Sequence, residues 1–175
     1  YADVRFLPID EPLYESAGDV DFDQLQNSSY DVGTPVAVVH VSADKQWYYV
    51  FSALAQGWVR ANDVAIGDVK KVSDYAQSQD FVVAIVPKGD IFLNQQKSTF
   101  HDYVRMGARL PIVGKDQDGF AVHVPVFDSE NKLMIVEGHV RSAHFHQGYL
   151  AYTAENILSQ AFAMLNQPYG WGGMY

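Results

Sequence analysis

The alternation of hydrophobic and polar positions changes character three times along the chain. Up to residue 30 no period holds, and Pro8, Pro12 and Gly18 punctuate the stretch. Only 21–26, opened by Asp21, predicts a single helical turn. From Gly33 the period becomes two. Val36, Val38 and His40 alternate with Ala37, Val39 and Val41, and Trp47, Tyr49 and Phe51 alternate with Tyr48 and Val50. The polar stretch 42–46 between them is a turn, so this is a pair of strands rich in β-branched and aromatic residues. A third short run, Trp58-Val59-Arg60, follows Gly57, and 62–65 suggests one tight helical turn. Short strands in close succession, with large side chains on both faces, argue for a small antiparallel barrel.

Residues 67–80 are more polar and read as a linker with a short helix over 69–77. A second β region starts at 81–86. Residues 87–90 predict a turn, 91–93 a strand and 94–97 another turn. Strands over 110–113, 120–127 and 133–137 follow, separated by turns at 114–119 and 128–132. Pro125 inside a strand points to an edge or a bulge.

The two β regions carry a weak internal repeat. Gly57-Trp58-Val59-Arg60-Ala61 answers to Gly138-His139-Val140-Arg141-Ser142. Counting from Gly33 and Gly107, Trp47 lies 14 residues on and Phe120 lies 13. The match predicts a longer hairpin loop in the second copy. Near the C-terminus the period changes again. Ile157, Leu158, Ala161, Phe162 and Leu165 fall on one face of a helix. Thr153 suits its N-cap and Pro168 bounds it. Such a helix cannot bury its apolar face alone. The glycine-aromatic end, Gly170 to Tyr175, has no closing element, so the chain is expected to stop partway through a further domain.

Composition narrows the function. The chain has 175 residues, 48% of them hydrophobic and 14% aromatic, which is enough to build a core and excludes disorder as a whole-chain reading. Twelve basic against 21 acidic residues give a net charge of −9, so no basic footprint for nucleic acid is present. An anionic membrane surface is an equally poor partner. The longest apolar run, 81–86, is far below the ~18 residues that span a bilayer. There is no cysteine, which excludes a disulfide framework, a thiolate metal site and a cysteine nucleophile within these residues. No secretory leader is visible at the start of the sequence.

Candidate chemistry is sparse. His144-Phe145-His146 could place two imidazoles on one strand face as half of a metal site, but nothing supplies the rest. These are read as surface or packing histidines, and His139 as structural. Neither a metal nor a cofactor is expected. No Ser/His/Asp order and no paired carboxylates stand out. Trp47, Tyr48, Tyr49, Phe51 and Trp58 either line a groove for a peptide or sugar, or pack a tight small core. Tyr169-Gly170-Trp171-Gly172-Gly173 is the sharpest local feature. Its glycines allow a tight turn and a close backbone approach, although a simple helix-terminating loop has the same composition.

These residues stand in a familiar order. Phe22-Asp23-Gln24-Leu25-Gln26-Asn27-Ser28, Gly33-Thr34-Pro35-Val36, His40-Val41-Ser42-Ala43-Asp44, Gly57-Trp58-Val59 and Asp63-Val64-Ala65 resemble the first bacterial SH3 (SH3b) domain of NlpC/p60-type cell-wall cysteine peptidases. Residues 80–150 resemble, more loosely, the second SH3b domain of the same proteins. Asn156 to Tyr175 resembles the opening helix and loop of their catalytic domain.

The resemblance implies a mainly β fold. Two small SH3-like barrels are followed by one amphipathic helix that opens a truncated, papain-like α+β NlpC/p60 domain. The expected division is 1–68 for the first SH3b domain with an N-terminal extension, 69–80 for the linker, 81–152 for the second SH3b-like domain and 153–175 for the start of the catalytic domain. It also implies the activity: hydrolysis of the γ-D-glutamyl–diamino acid bond of murein peptides by a thiolate nucleophile with a histidine base. The nucleophile would lie beyond Tyr175, so the chain alone is expected to be inactive. Of the family's site motifs only the Tyr169 and Trp171 positions are present, and they would help shape the substrate site. Partners implied are murein peptides or peptidoglycan and the remainder of the catalytic domain. The place implied is the bacterial cell envelope, periplasmic or exported. The SH3b domains would then wall the cleft, target the enzyme to the wall, or both. The alternative is a stand-alone SH3b binding module for peptidoglycan or a protein partner. The acidic charge favours cleft-forming, since murein is itself largely anionic.

Overall fold

A computed structural model describes residues 1–173. Its strands form two antiparallel sheets, each wrapped on its own core. The first has the order β2-β1-β5-β4-β3, built from β1 (Ala2–Arg5), β2 (Gln26–Tyr30), β3 (Ala37–Val41), β4 (Trp47–Phe51) and β5 (Gln56–Arg60). A 3₁₀ turn (Ala61–Asp63) and helix α1 (Val69–Ala76) lead to the second sheet. That sheet comprises β6 (Phe81–Ala84), β7 (Lys88–Phe92), β8 (Phe100–Arg105), β9 (Arg109–Asp116), β10 (Gly119–Phe127), β11 (Leu133–Arg141) and β12 (Phe145–Gln147). Read from β8 its order is β8-β7-β11-β10-β9-β6-β12. Helix α2 (Ala154–Ala163) and a terminal turn (Trp171–Gly173) follow. Among the described residues no helix is long and apolar enough to cross a membrane.

The internal repeat is a repeat of topology. Strands β2-β1-β5-β4-β3 of the first sheet correspond in order to β8-β7-β11-β10-β9 of the second, which adds β6 and β12 at one edge. The register corresponds as well. Tyr49 pairs with Trp58 and Val50 with Gly57 in the first sheet, and Ala121 pairs with His139 and Val122 with Gly138 in the second. Arg60 pairs with Trp47, and Arg141 with Gly119, so the partner of Trp47 in the second copy is Gly119 and the expected match to Phe120 is one residue out. Both repeat glycines sit where another strand crosses. A Cβ on Gly57 would lie 2.7 Å from the Arg5 carbonyl, and one on Gly138 would lie 2.5 Å from Val124 Cγ2.

Each module buries a small apolar cluster. In the first these are Val4, Tyr30, Val50, Val59 and Val64, and in the second Val82, Ile91, Val104, Leu110, Val122, Val124, Val140 and Phe145. The inward residues of β4 and β5 alternate as period two requires, and Val50 and Val59 are wholly buried. Val32, just beyond β2, packs on the second cluster.

Several expectations are corrected. The irregular first 30 residues contain two strands. Residues 21–26 make no helical turn, because the Asp23 side chain is turned to the backbone amides of Leu13 (2.9 Å) and Leu25 (3.0 Å) and to Arg5 (2.9 Å). Gln26 then pairs with Arg5. Residues 87–90 are mostly strand rather than turn, since Gly89 faces Val104 on β8 while the Phe145 ring fills the space a Cβ would need. Strand β8 went unpredicted because its pattern lacks clean alternation. The turn at 114–119 shrinks to Gln117-Asp118, with β9 and β10 running to either side. Pro125 lies in β10 past the last β9 pair, Val122 with Ile112, so its missing N–H leaves the β11 pairing intact.

The linker is tied to both modules. Asp68 caps α1 by accepting from the Lys71 amide (2.7 Å), and Lys71 Nζ donates to the Leu133 carbonyl (2.9 Å). Ile66 exchanges backbone hydrogen bonds with Asn131 and Leu133 at 2.7 and 2.8 Å. Tyr75 lies against Gly33, and burial pushes its hydroxyl well above the ordinary tyrosine range. A groove of about 1030 Å³, lined by Val36, Val64, Ile66, Val72, Tyr75 and Leu133 among others, opens between the modules and α1.

Candidate functional site

The glycine-aromatic segment turns back after α2 and lies against β2 of the first module. Thr153 caps α2 as its sequence suggests, accepting from the Asn156 amide at 3.2 Å. The apolar face of α2 is not buried by any described residue: Ile157 is 48% exposed, Leu158 55%, Phe162 64% and Leu165 61%. Asn166, at φ 64°, ends the helical stretch. The chain then runs through Pro168 to Trp171, whose ring meets Phe22 edge-on at 5.4 Å between centroids.

The contacts of Gly172 and Gly173 explain why both are glycine. They have φ of 54° and 78°, the left-handed region in which a side chain is strained. A Cβ on Gly172 would lie 2.8 Å from the Gln26 carbonyl oxygen, and one on Gly173 would lie 2.2 Å from Ser29 Oγ. Their carbonyls are held from the same strand. Gln26 Nε2 donates to Gly172 O at 3.3 Å, and Ser29 Oγ donates to Gly173 O at 3.0 Å. The Tyr1 hydroxyl also donates to Gly173 O. Burial is the main reason that hydroxyl is pushed up to about 12, so it keeps its proton. The segment is a docked turn and not merely a helix terminator.

Charge at this seam is neutralised by pairing. Arg105, at the end of β8, sends Nε and Nη2 to both oxygens of Asp31 at 3.0–3.2 Å. It also donates to Ser29 Oγ (2.5 Å) and the Ser29 carbonyl (3.1 Å), and lies over the Tyr1 ring at 5.4 Å. Behind β2, Arg5 and Asp23 form a buried pair at 2.9 Å. Burial works against the Asp23 charge, but the amides of Leu13 and Leu25 and the Arg5 guanidinium outweigh it and hold the carboxyl below its usual range. Trp171 Nε1 is buried and has no hydrogen-bond partner among the described residues.

The two site residues expected from the sequence are therefore placed differently. Trp171 is half-buried against the first module, while Tyr169 is 75% exposed. Sequence reading missed Gln26, Ser29 and Arg105, the residues that hold the turn. Gln26 falls within the stretch that carries the SH3b resemblance but has no role assigned by it, and Ser29 and an arginine on an unpredicted strand carry no motif.

The remaining candidates separate. Trp47 is only 3% exposed under the Arg60 guanidinium, and Tyr48 packs on the first core. Tyr49, Phe51 and Trp58 form an edge-to-face row on the outer face of β4 and β5, which His40 extends. Only part of the cluster is thus open to a ligand. Phe145 is buried between His144 and His146, and no group of three or more metal-ligand side chains forms among the described residues.

Residues 12–60 match the family model of the SH3 domain of SH3b1 type. No curated protein matches the chain. Solved structures do. A novel NlpC/P60 endopeptidase from Photobacterium damselae subsp. piscicida superposes over 99% of this chain, with 25% identity and a TM-score of 0.78. A NlpC/P60 family protein from Bacillus cereus ATCC 10987 superposes over 86%, with 17% identity and a TM-score of 0.65, and so bears on the fold alone. The chain spans 37% and 50% of the lengths of those two proteins. Residues 12–60 are thus similar to SH3 domains of SH3b1 type, and the chain as a whole is similar in structure to part of an NlpC/P60 endopeptidase.

Proposed function

We propose that the chain is the non-catalytic, SH3b-containing portion of a murein peptide endopeptidase, and that its first module helps form the substrate cleft. The observation that carries this reading is the docking of Trp171-Gly172-Gly173 on Gln26 and Ser29. In a papain-like enzyme of this kind a thiolate would follow that turn and a histidine would serve as its base, cleaving the γ-D-glutamyl–diamino acid bond. A turn held by hydrogen bonds to the SH3b module would place the module beside the reacting bond, where orientation of substrate is worth most. Tyr169 and Trp171 would then face the peptide near the nucleophile. Helix α2, with its uncovered apolar face, would pack against the remainder of the catalytic domain. The polypeptide would act in the cell envelope.

The test compares two polypeptides on a murein tripeptide. The 175-residue chain, lacking any cysteine, releases no free diamino acid. A polypeptide continued through the next domain releases it, and loses that activity when its cysteine is replaced. Release by the short chain, or none by the long one, overturns the reading. Binding to purified sacculi at moderate salt separates the alternative: strong retention of the 175-residue chain supports an independent binding module, and no retention supports cleft-forming alone.

A further inference from the structure

Arg105 belongs to the second module, yet its guanidinium points into the contact between the first module and the terminal turn. Ser29 links the two. Its hydroxyl accepts from Arg105 Nη1 at 2.5 Å and donates to Gly173 O at 3.0 Å. A serine hydroxyl has one proton and rotates to suit its neighbours. With a cationic donor on its lone-pair side, that proton is turned away from Arg105 and toward the Gly173 carbonyl, which the Tyr1 hydroxyl also reaches. The same guanidinium is fixed by the fork on Asp31 and by the Arg105 amide, which donates to Asp31 Oδ1 at 2.9 Å. Asp31 follows β2 directly, so β2, β8 and the turn share one bonded chain of groups. The space is closed as well, because a Cβ on Gly173 would lie 3.0 Å from Arg105 Nη1.

We propose that Arg105 is a positioning residue for the Trp171–Gly173 turn, acting through Ser29, so that the second module's seating on the first sets where the turn stands. This rests on the reading that the turn borders the substrate cleft. It gives the second module, remote in sequence from the turn, a defined role: holding the cleft wall in register. A lysine cannot replace the arginine here, since one ammonium cannot serve the Asp31 fork and the Ser29 hydroxyl in the same plane.

The experiment follows the three indole N–H signals and the Gly172 and Gly173 amide signals of the ¹⁵N-labelled chain, with Trp171→Phe assigning the third indole. Arg105→Lys and Ser29→Ala are each expected to shift the Trp171 indole and both glycine amides, and to raise the Gly173 amide exchange rate at least tenfold. The Trp47 and Trp58 indoles stay in place and report that the fold is intact. The double variant moves the turn signals no further than Ser29→Ala alone, because both act on one link. Turn signals unmoved by Arg105→Lys, or additive effects in the double variant, overturn the proposal. A second arm measures the longer polypeptide on a murein tripeptide, where Arg105→Lys lowers kcat about tenfold with KM within twofold, in line with misplacement of a positioned group. If the turn signals move while the unmodified long polypeptide cleaves nothing, the positioning role stands and the cleft reading fails.

Discussion

Arg105 and Asp31 meet across the boundary between the modules, with Nε and Nη2 of the arginine 3.0–3.2 Å from both carboxylate oxygens. Neither side chain is more than about a quarter exposed. The fork geometry makes this a charge-assisted contact of the stronger kind. Asp31→Ala is expected to lower stability by about 2 kcal/mol, because it removes the fork and leaves the Arg105 amide unpaired. Urea denaturation followed by tryptophan fluorescence checks it. A midpoint unchanged from the parent would show that the seam contributes nothing to stability.

Gly173→Ala is expected to release the terminal turn while leaving both modules folded. The added methyl would meet Ser29 Oγ at 2.2 Å, and the φ of 78° is unfavourable for alanine by about 1 kcal/mol. The readout is faster proteolytic cleavage within 164–173 at an unchanged thermal midpoint. Equal cleavage rates in parent and variant would count against the docked turn.

The two repeat glycines should differ in tolerance. At Gly57 the obstacle to alanine is the Arg5 carbonyl, part of the backbone, at 2.7 Å, together with Val4 Cγ1 at 2.7 Å. At Gly138 the nearest obstacle is the Val124 methyl, at 2.5 Å, with the Phe92 carbonyl farther off at 3.3 Å. Overpacking of this kind destabilises by roughly 1–3 kcal/mol. Gly57→Ala is expected at the upper end and Gly138→Ala at the lower, since a side chain yields more readily than a strand. Chemical denaturation of the two variants in parallel decides the order.

Acid should weaken both modules. Asp23 in the first is held below its ordinary value despite burial, as set out above. Asp116 in the second is likewise buried, and Lys97 at 3.0 Å and His139 at 3.1 Å more than offset that burial and hold its carboxyl below its ordinary value. A carboxyl depressed in the folded state contributes stability that is complete above its unfolded value, near 3.8. That contribution is lost as pH falls through the depressed folded values. Stability should therefore be flat in these groups above pH ~5 and fall below pH ~4. Lys97→Met tests the second module separately. It leaves the buried Asp116 with His139 and the Asp118 amide but no cationic amine, and should cost about 3–5 kcal/mol at neutral pH, with a smaller loss on acidification than in the parent.

Substitutions on the open face of α2 should be nearly neutral in this chain. Phe162→Ser and Leu165→Lys alter side chains that are 64% and 61% exposed, and changes of this kind usually stay within about 0.5 kcal/mol. Amides through 154–165 should exchange rapidly, since no described element covers the helix. Slow exchange in a monomeric sample would contradict this.

Period two was enough to locate the strands of the first meander, because Val50 and Val59 point into the core while Tyr49 and Trp58 point out. The helix over α2 and its Thr153 cap were legible for the same local reason: spacing on one face and a hydroxyl positioned for a free amide. The glycines of the terminal motif pointed to a close approach, but not to what is approached. Strands β1 and β2 escaped because their buried faces include the polar residues Arg5, Gln26 and Ser29, and β8 because its pattern lacks clean alternation. Gln26 and Ser29 count as interior only once Gly172, Gly173 and Arg105 are beside them. Local pattern thus determined the meanders, the linker helix and the repeat. The seating of one module on the other and the docking of the turn were decided only by the tertiary structure, since both depend on hydrogen bonds between residues 62 to 172 positions apart, which no local period encodes.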